Sequence, residues 1–155
     1  MVARSERKKN LVVHPFEKTI KRQYQIHDKL FENPDILPDF KLITLKAVQS
    51  IAGETVPYAT WFEALQSMED KIKTIDFDIA IIGCGAYGLP LASFIKTLGK
   101  KAVHLGGATQ LLFGIKGKRW EEREDFKKLF NEYWTHPLPD DTPSHFKRVE
   151  SGCYW

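Results

Sequence analysis

The run from Phe77 to Ile82 is apolar except for Asp78 and leads directly into Gly83-Cys84-Gly85-Ala86-Tyr87-Gly88. Leu89 to Leu98 follows with apolar residues at helical spacing, and Pro90 is acceptable in a first helical turn. A strand that is apolar along its length is covered on both faces, as the central strand of a parallel sheet is. A G-x-G-x-x-G turn placed between such a strand and a helix has the context in which this pattern binds phosphate. These residues commit the chain to a layered α/β arrangement, because one strand and one helix cannot bury such a strand by themselves.

The remaining chain supplies the other layers. Leu11-Val12-Val13 is a short β-branched run stopped at His14-Pro15. Ile20, Tyr24, His27 and Phe31 recur at helical spacing and predict a helix over 17–31. Leu42 to Val48 reads as a second strand. Thr60-x-x-Glu63 is a capping box that opens a helix with Trp61, Phe62, Leu65, Met68, Ile72 and Ile75 as its apolar residues. Lys101 to Leu105 is a fourth strand, Gly106-Gly107 a turn, and Ala108 to Phe113 a short apolar helix or extended segment. Phe126, Leu129, Phe130, Tyr133 and Trp134 define a last helix. The expected fold is a three-layer Rossmann-like α/β domain with a small, mostly parallel sheet of about four strands. Its bounds are 10–136, with a disordered basic arm over 1–9 and a Pro-rich tail over 137–155 packed on the domain. Four strands are few for a doubly wound sheet, so a homodimer that completes the sheet is expected.

Charge is distributed unevenly. The chain of 155 residues has a net charge of +3, which equals the balance of Arg4, Arg7, Lys8 and Lys9 against Glu6. Residues 79–120 contain Lys96, Lys100, Lys101, Lys116, Lys118 and Arg119 and no Asp or Glu. A segment with cations and no acids suits phosphate or another anion. Six basic residues are too few for a surface that tracks a nucleic-acid backbone. Two cysteines, Cys84 and Cys153, form neither a disulfide framework nor a zinc motif. With no secretory signal pattern and no apolar run of spanning length, a soluble cytoplasmic protein is expected.

Within the turn, Gly83 is expected to allow the tight bend, Gly85 the close approach of a phosphate, and Gly88 close helix–strand packing. The helix behind it presents unpaired N–H groups and a positive dipole end. The glycine-rich basic stretch Gly114-Ile115-Lys116-Gly117-Lys118-Arg119 is a second candidate diphosphate contact, with Arg119 able to bind in bidentate fashion. It is not a P-loop. Ligands of open α/β sheets lie at the carboxyl ends of strands, which makes His14 and His104 candidate polar or acid/base groups. Cys84 sits where a helix N-terminus lowers a thiol pKa. An NAD site calls for a carboxylate at the end of the strand after the turn, and His104-Leu105-Gly106-Gly107 has none. Asp76-x-Asp78 enters its strand at the amino end, far from the turn, and Asp140-Asp141 reads as a solvated turn. No metal site is expected.

The stretches Phe77 to Ala92 and Lys101 to Trp120 resemble the C-terminal half of bacterial proteins of uncharacterised function found near polysaccharide and glycosyltransferase genes. The ending Glu150 to Trp155 is similar to that family's C-terminus. More distantly, the strand, glycine turn, helix, strand and Gly-Gly sequence is similar to the GT-D-type glycosyltransferases, which bind a nucleotide-sugar in a Rossmann-like domain. The resemblance implies a nucleotide-sugar donor bordered by Gly83, Gly85, Gly88, His104, Gly106 and Gly107, and the candidate cofactor contacts are the whole turn, with Cys84, Ala86 and Tyr87, together with these residues and Lys116, Lys118 and Arg119. That family's acidic metal motif, a Gly-Asp-Gly-Glu-like segment upstream, has no counterpart here. The resemblance therefore implies a shortened relative or part of a longer protein. A non-catalytic binding or assembly domain and an NAD-type oxidoreductase domain are the alternatives.

Overall fold

A computed structural model describes residues 7–51 and 54–155. Among them four strands, β1 (Lys9–His14), β2 (Lys41–Lys46), β3 (Ile79–Ile82) and β4 (Lys101–His104), form one sheet in the order β2-β1-β3-β4. Every pair is parallel, with Asn10 opposite both Leu42 and Ile79, and Ile79 opposite Lys101. The expected small parallel sheet of a Rossmann-like α/β fold is what forms.

Alternation along the inner strands assigns the two faces. Leu11 and Val13 of β1 and Ala80 and Ile82 of β3 pack with Ala64, Met68 and Ile72 of α2 (Trp61–Thr74) and Leu91 and Ile95 of α3 (Gly88–Thr97). Val12 instead joins Phe16, Ile20 of α1 (Glu17–Tyr24), Phe113, Ile115, Trp134 and Trp155 in a second core. The sheet is thus the middle of three layers. α2 starts as its sequence predicts: the Thr60 hydroxyl accepts from the Glu63 N–H at 3.1 Å, and the Glu63 carboxylate accepts from the Ala59 N–H at 2.8 Å.

Three segments depart from expectation. α1 stops at Tyr24, and His27–Lys29 is a 3-10 turn. The Tyr24 hydroxyl accepts the Phe40 N–H at 2.6 Å and donates to the Phe40 carbonyl at 2.9 Å, so the chain turns there to meet the loop before β2. The turn still brings Leu30 fully inside, which is why the apolar spacing runs past the helix end. The last helix is only α6 (Glu124–Lys127), preceded by the short α4 (Ala108–Leu112) and α5 (Lys118–Glu121). The Asn131 side chain accepts from the Tyr133 N–H at 2.9 Å, a local bond that competes with helix, and the Trp134 indole donates to the Leu30 carbonyl at 3.0 Å. Residues 1–6 of the expected arm lie outside the described residues. Arg7 pairs with Asp39 at 3.0 Å, and Lys9 already belongs to β1.

Residues 137–155 pack on the α1 face. The Asp141 carboxylate accepts from both the N–H (2.7 Å) and the hydroxyl (2.6 Å) of Thr19, while Lys18 pairs with Asp140 at 2.6 Å. Asp141 is 4% exposed, so half of the expected solvated turn is a buried clamp. The carbonyls of Cys153, Tyr154 and Trp155 accept from the N–H of Arg119, the Gln110 side-chain amide and the N–H of Lys118.

Candidate functional site

The carboxyl edge of the sheet presents the segments after β1 and β3 side by side. Because β2 lies beyond β1 and β4 beyond β3, this is the point at which the strand order reverses, the usual ligand crevice of an open α/β sheet. β3 delivers Gly83–Gly88 there: a 3-10 turn over Gly85–Tyr87 followed immediately by α3. Gly85 and Ala86 are exposed, whereas Gly83, Cys84, Tyr87 and Gly88 are buried.

Contacts explain the glycines. Gly85 has φ +56° and open space around it, so the conformational demand of the turn falls on Gly85 and not on Gly83. A Cβ at Gly83 would lie 2.4 Å from the Thr109 hydroxyl oxygen and 2.7 Å from the Gly106 carbonyl oxygen. At Gly88 it would lie 2.1 Å from Cε1 of His104, which fulfils the expected close helix–strand packing with an imidazole as the packed group. The same Cε1 is 4.0 Å from the Cβ position of Gly106. At Gly107 a Cβ would fall 1.8 Å from Nη2 of Arg119. The structure therefore gathers Gly83, Gly88, His104, Gly106, Gly107 and Arg119, residues that the sequence places in three separate stretches.

Arg119 lies against two aromatic rings, its guanidinium carbon 4.3 Å from the Trp120 ring centroid and 4.7 Å from that of Tyr154. No carboxylate among the described residues pairs with it, and its Nε is buried without a hydrogen-bond partner. A guanidinium fixed by stacking and lacking an anion is ready to receive one.

The other cations of the acid-free segment go elsewhere. Lys116 lies over the Phe130 ring at 5.8 Å, and Lys118 is 3.9 Å from Glu122. Lys96, Lys100 and Lys101 sit at the end of α3 and the start of β4, about 15 Å from the glycine turn along a ten-residue helix. There Lys100 donates to the carbonyls of Ile75 (3.3 Å) and Phe77 (3.1 Å). The acid-free stretch is thus one run in sequence but two regions in space, and Arg119 is its member beside Gly107, whose neighbour Gly106 packs on Gly83. Asp76 and Asp78 are likewise at the amino end, bonded to Lys9.

Two candidates change character. His14 is 5% exposed and its Nδ1 accepts the Phe16 N–H at 2.9 Å. Desolvation lowers its pKa to about 3, so the ring stays neutral and is no acid/base group near neutral pH. Cys84 packs in the α2/α3 core, and burial pushes its thiol up to about 12, opposite to the expected helix-end effect. Burial outweighs the dipole because the side chain turns away from the exposed lip of the turn.

Sequence reasoning missed Trp61. Its indole stacks on Tyr87 at 5.0 Å and 6°, which places an aromatic pair at the glycine turn. Trp120 and Tyr154, which lie against Arg119, were also missed: Trp120 is its chain neighbour and reads as an ordinary apolar residue, and no local pattern marks Tyr154, which packs there from far along the chain. A separate cleft of about 380 Å³ opens on the same edge, beyond β1, between Pro15, Lys46 to Gln49, Tyr58 and the segment 140–143. Among the described residues no helix is long and apolar enough to cross a membrane, and no three His, Cys, Asp or Glu side chains gather as metal ligands. No family model, no curated protein and no solved structure matches the chain.

Proposed function

We propose that this domain binds a phosphate-bearing nucleotide, of the nucleotide-sugar class, with its diphosphate between the Gly83–Gly88 turn and Arg119. The observation that carries this reading is the Arg119 guanidinium, packed on two rings and against Gly107 with no anionic partner among the described residues. The turn adds exposed backbone at Gly85 and Ala86 and the start of α3, and the His104 ring packs on Gly88. In a sugar transfer an acceptor oxygen bonds to the anomeric carbon, its proton passing to solvent, as the bond from that carbon to the diphosphate oxygen breaks with its electron pair on the diphosphate. Arg119 and the turn are arranged to hold that charge. Toward β1 the 380 Å³ cleft offers Lys46, Glu54 and Thr55 to sugar hydroxyls. The two free cysteines suit a reducing cytoplasm, and the outer edge of β4, which pairs with no other strand among the described residues, suits a second copy of the chain.

The position of Arg119 also favours a second reading. It lies at the carboxyl end of the strand after the glycine turn, where dinucleotide sites that take NADP keep an arginine for the ribose phosphate. Calorimetric titration with UDP-, GDP- and CMP-sugars and with NADPH and NADH separates the two. The first reading expects a nucleotide-sugar to bind, with affinity lost on Gly85→Asp and reduced at least tenfold by Arg119→Gln. Binding of NADPH alone would select the second, and silence across the panel would leave a non-catalytic assembly domain.

A further inference from the structure

Large aromatic and aliphatic side chains left in water beside a binding turn need an explanation, since scattered exposure is ordinary but contiguous exposure marks a contact site. Trp61 is 37% exposed, Phe62 74% and Leu89 69%. They are not scattered. The Phe62 ring meets the Trp61 indole edge-on at 5.2 Å and 86°, the indole stacks on Tyr87, and Leu89 follows Gly88 in the first turn of α3. Tyr87 is itself part of the glycine turn and is buried, so its ring is a fixed base on which Trp61 rests.

We infer that Trp61 is the platform on which the planar base of the bound nucleotide stacks. This inference rests on the phosphate-binding reading above and adds the residue that selects a nucleotide over a bare phosphate. Continuity with the anion site argues for this occupant. Tyr87 is two residues from Gly85, which puts it within about 8 Å at about 3.8 Å per Cα step. The Trp61 indole stacks on the Tyr87 ring at 5.0 Å, so the platform borders the residues proposed to hold the phosphate. Trp61 occupies the first position of α2 beneath the Thr60 cap, so its backbone is fixed whether or not ligand is present. Phe62 adjoins it, Leu89 stands in the first turn of α3, and residues 83–88 include no Asp, Glu, Lys, Arg or His.

Titration of inorganic pyrophosphate against ADP, GDP and UDP tests this on the full chain. Stacking of one base on an aromatic side chain corresponds to roughly tenfold or more in affinity. Trp61→Ala is therefore expected to weaken the tightest of the three nucleotides at least tenfold while changing pyrophosphate affinity less than twofold. Trp61→Phe keeps a ring and is expected to restore most of the loss. Arg119→Gln should weaken pyrophosphate and nucleotide together. An unchanged nucleotide-to-pyrophosphate ratio in Trp61→Ala would overturn the role of Trp61 and leave the phosphate site standing. Absence of binding by any of the four ligands to the wild-type chain would overturn both. Sedimentation supplies the remaining arm: if Trp61→Ala lowers the mass of the wild-type particle, the patch is a protein interface and the proposal fails.

Discussion

The imidazole of His104 occupies the space that any side chain at Gly88 would need, with Cε1 2.1 Å and Nδ1 2.4 Å from the Cβ position. Gly88 has helical dihedrals, φ −61° and ψ −50°, so alanine there is unfavourable only because of the ring. In the wild-type background Gly88→Ala is expected to destabilise by about 1 kcal/mol as the His104 ring is forced out of its place on the helix. In a His104→Ala background the same change should stabilise by up to about 1 kcal/mol, the ordinary preference of helices for alanine. A denaturant double-mutant cycle measures the coupling; strict additivity would contradict the packing.

The two other glycines of the turn should respond unequally. Gly83→Ala must displace the Gly106 carbonyl, a backbone atom, and is expected to cost about 1–3 kcal/mol. Gly85→Ala meets no atom within 4 Å and suffers only its left-handed φ of +56°. That strain is about 1–2 kcal/mol. Equilibrium unfolding of both variants tests the order, with Gly83 the more sensitive.

His14 should make the fold labile to acid before the carboxylates do. Its folded pKa of about 3 lies below the ordinary 6.5, so the unfolded chain takes up the proton first. Stability is complete above pH 6.5 and declines as pH falls toward about 3. The slope reaches about 1.4 kcal/mol per pH unit. Asn in its place supplies an acceptor to the Phe16 N–H without a titratable ring. Urea unfolding between about pH 7 and about pH 5 should show a flatter profile for His14→Asn than for the wild type.

Asp141 ties the C-terminal segment to the start of α1 through two bonds from Thr19. Asp141→Ala removes the acceptor and leaves a buried N–H and hydroxyl without it. The expected cost is about 2–3 kcal/mol, from hydrogen bonds to a charged group plus desolvation. Asp140→Ala, which breaks only the exposed pair with Lys18, should change stability by less than about 1 kcal/mol. Thermal or chemical unfolding of the two neighbours provides the comparison.

The element order was legible because its signals are local. The Thr60 capping box, the apolar β3 and the glycine turn each state their conformation within a few residues, and all three formed. α1 was overextended because Leu30 and Phe31 keep an inward spacing through a 3-10 turn that periodicity does not distinguish from helix. The last helix was overextended for a different reason: the bonds of Asn131 and Trp134 to the Leu30 region compete with it, and their partners lie about a hundred residues away.

The same division holds at the site. The sequence by itself determined that a parallel α/β sheet would form and that a glycine turn would stand at the carboxyl end of an inner strand. Hydrophobic periodicity and glycine geometry suffice for that. Only the tertiary structure decided which cation reaches the turn. Lys96, Lys100 and Lys101 go to the amino end because a helix separates them from it, while Arg119 returns to Gly107 because two rings, one from Tyr154, hold it there. Burial likewise decided that His14 stays neutral and Cys84 stays protonated, since the free energy of an ion depends on the solvent left around it and not on its neighbours in the chain.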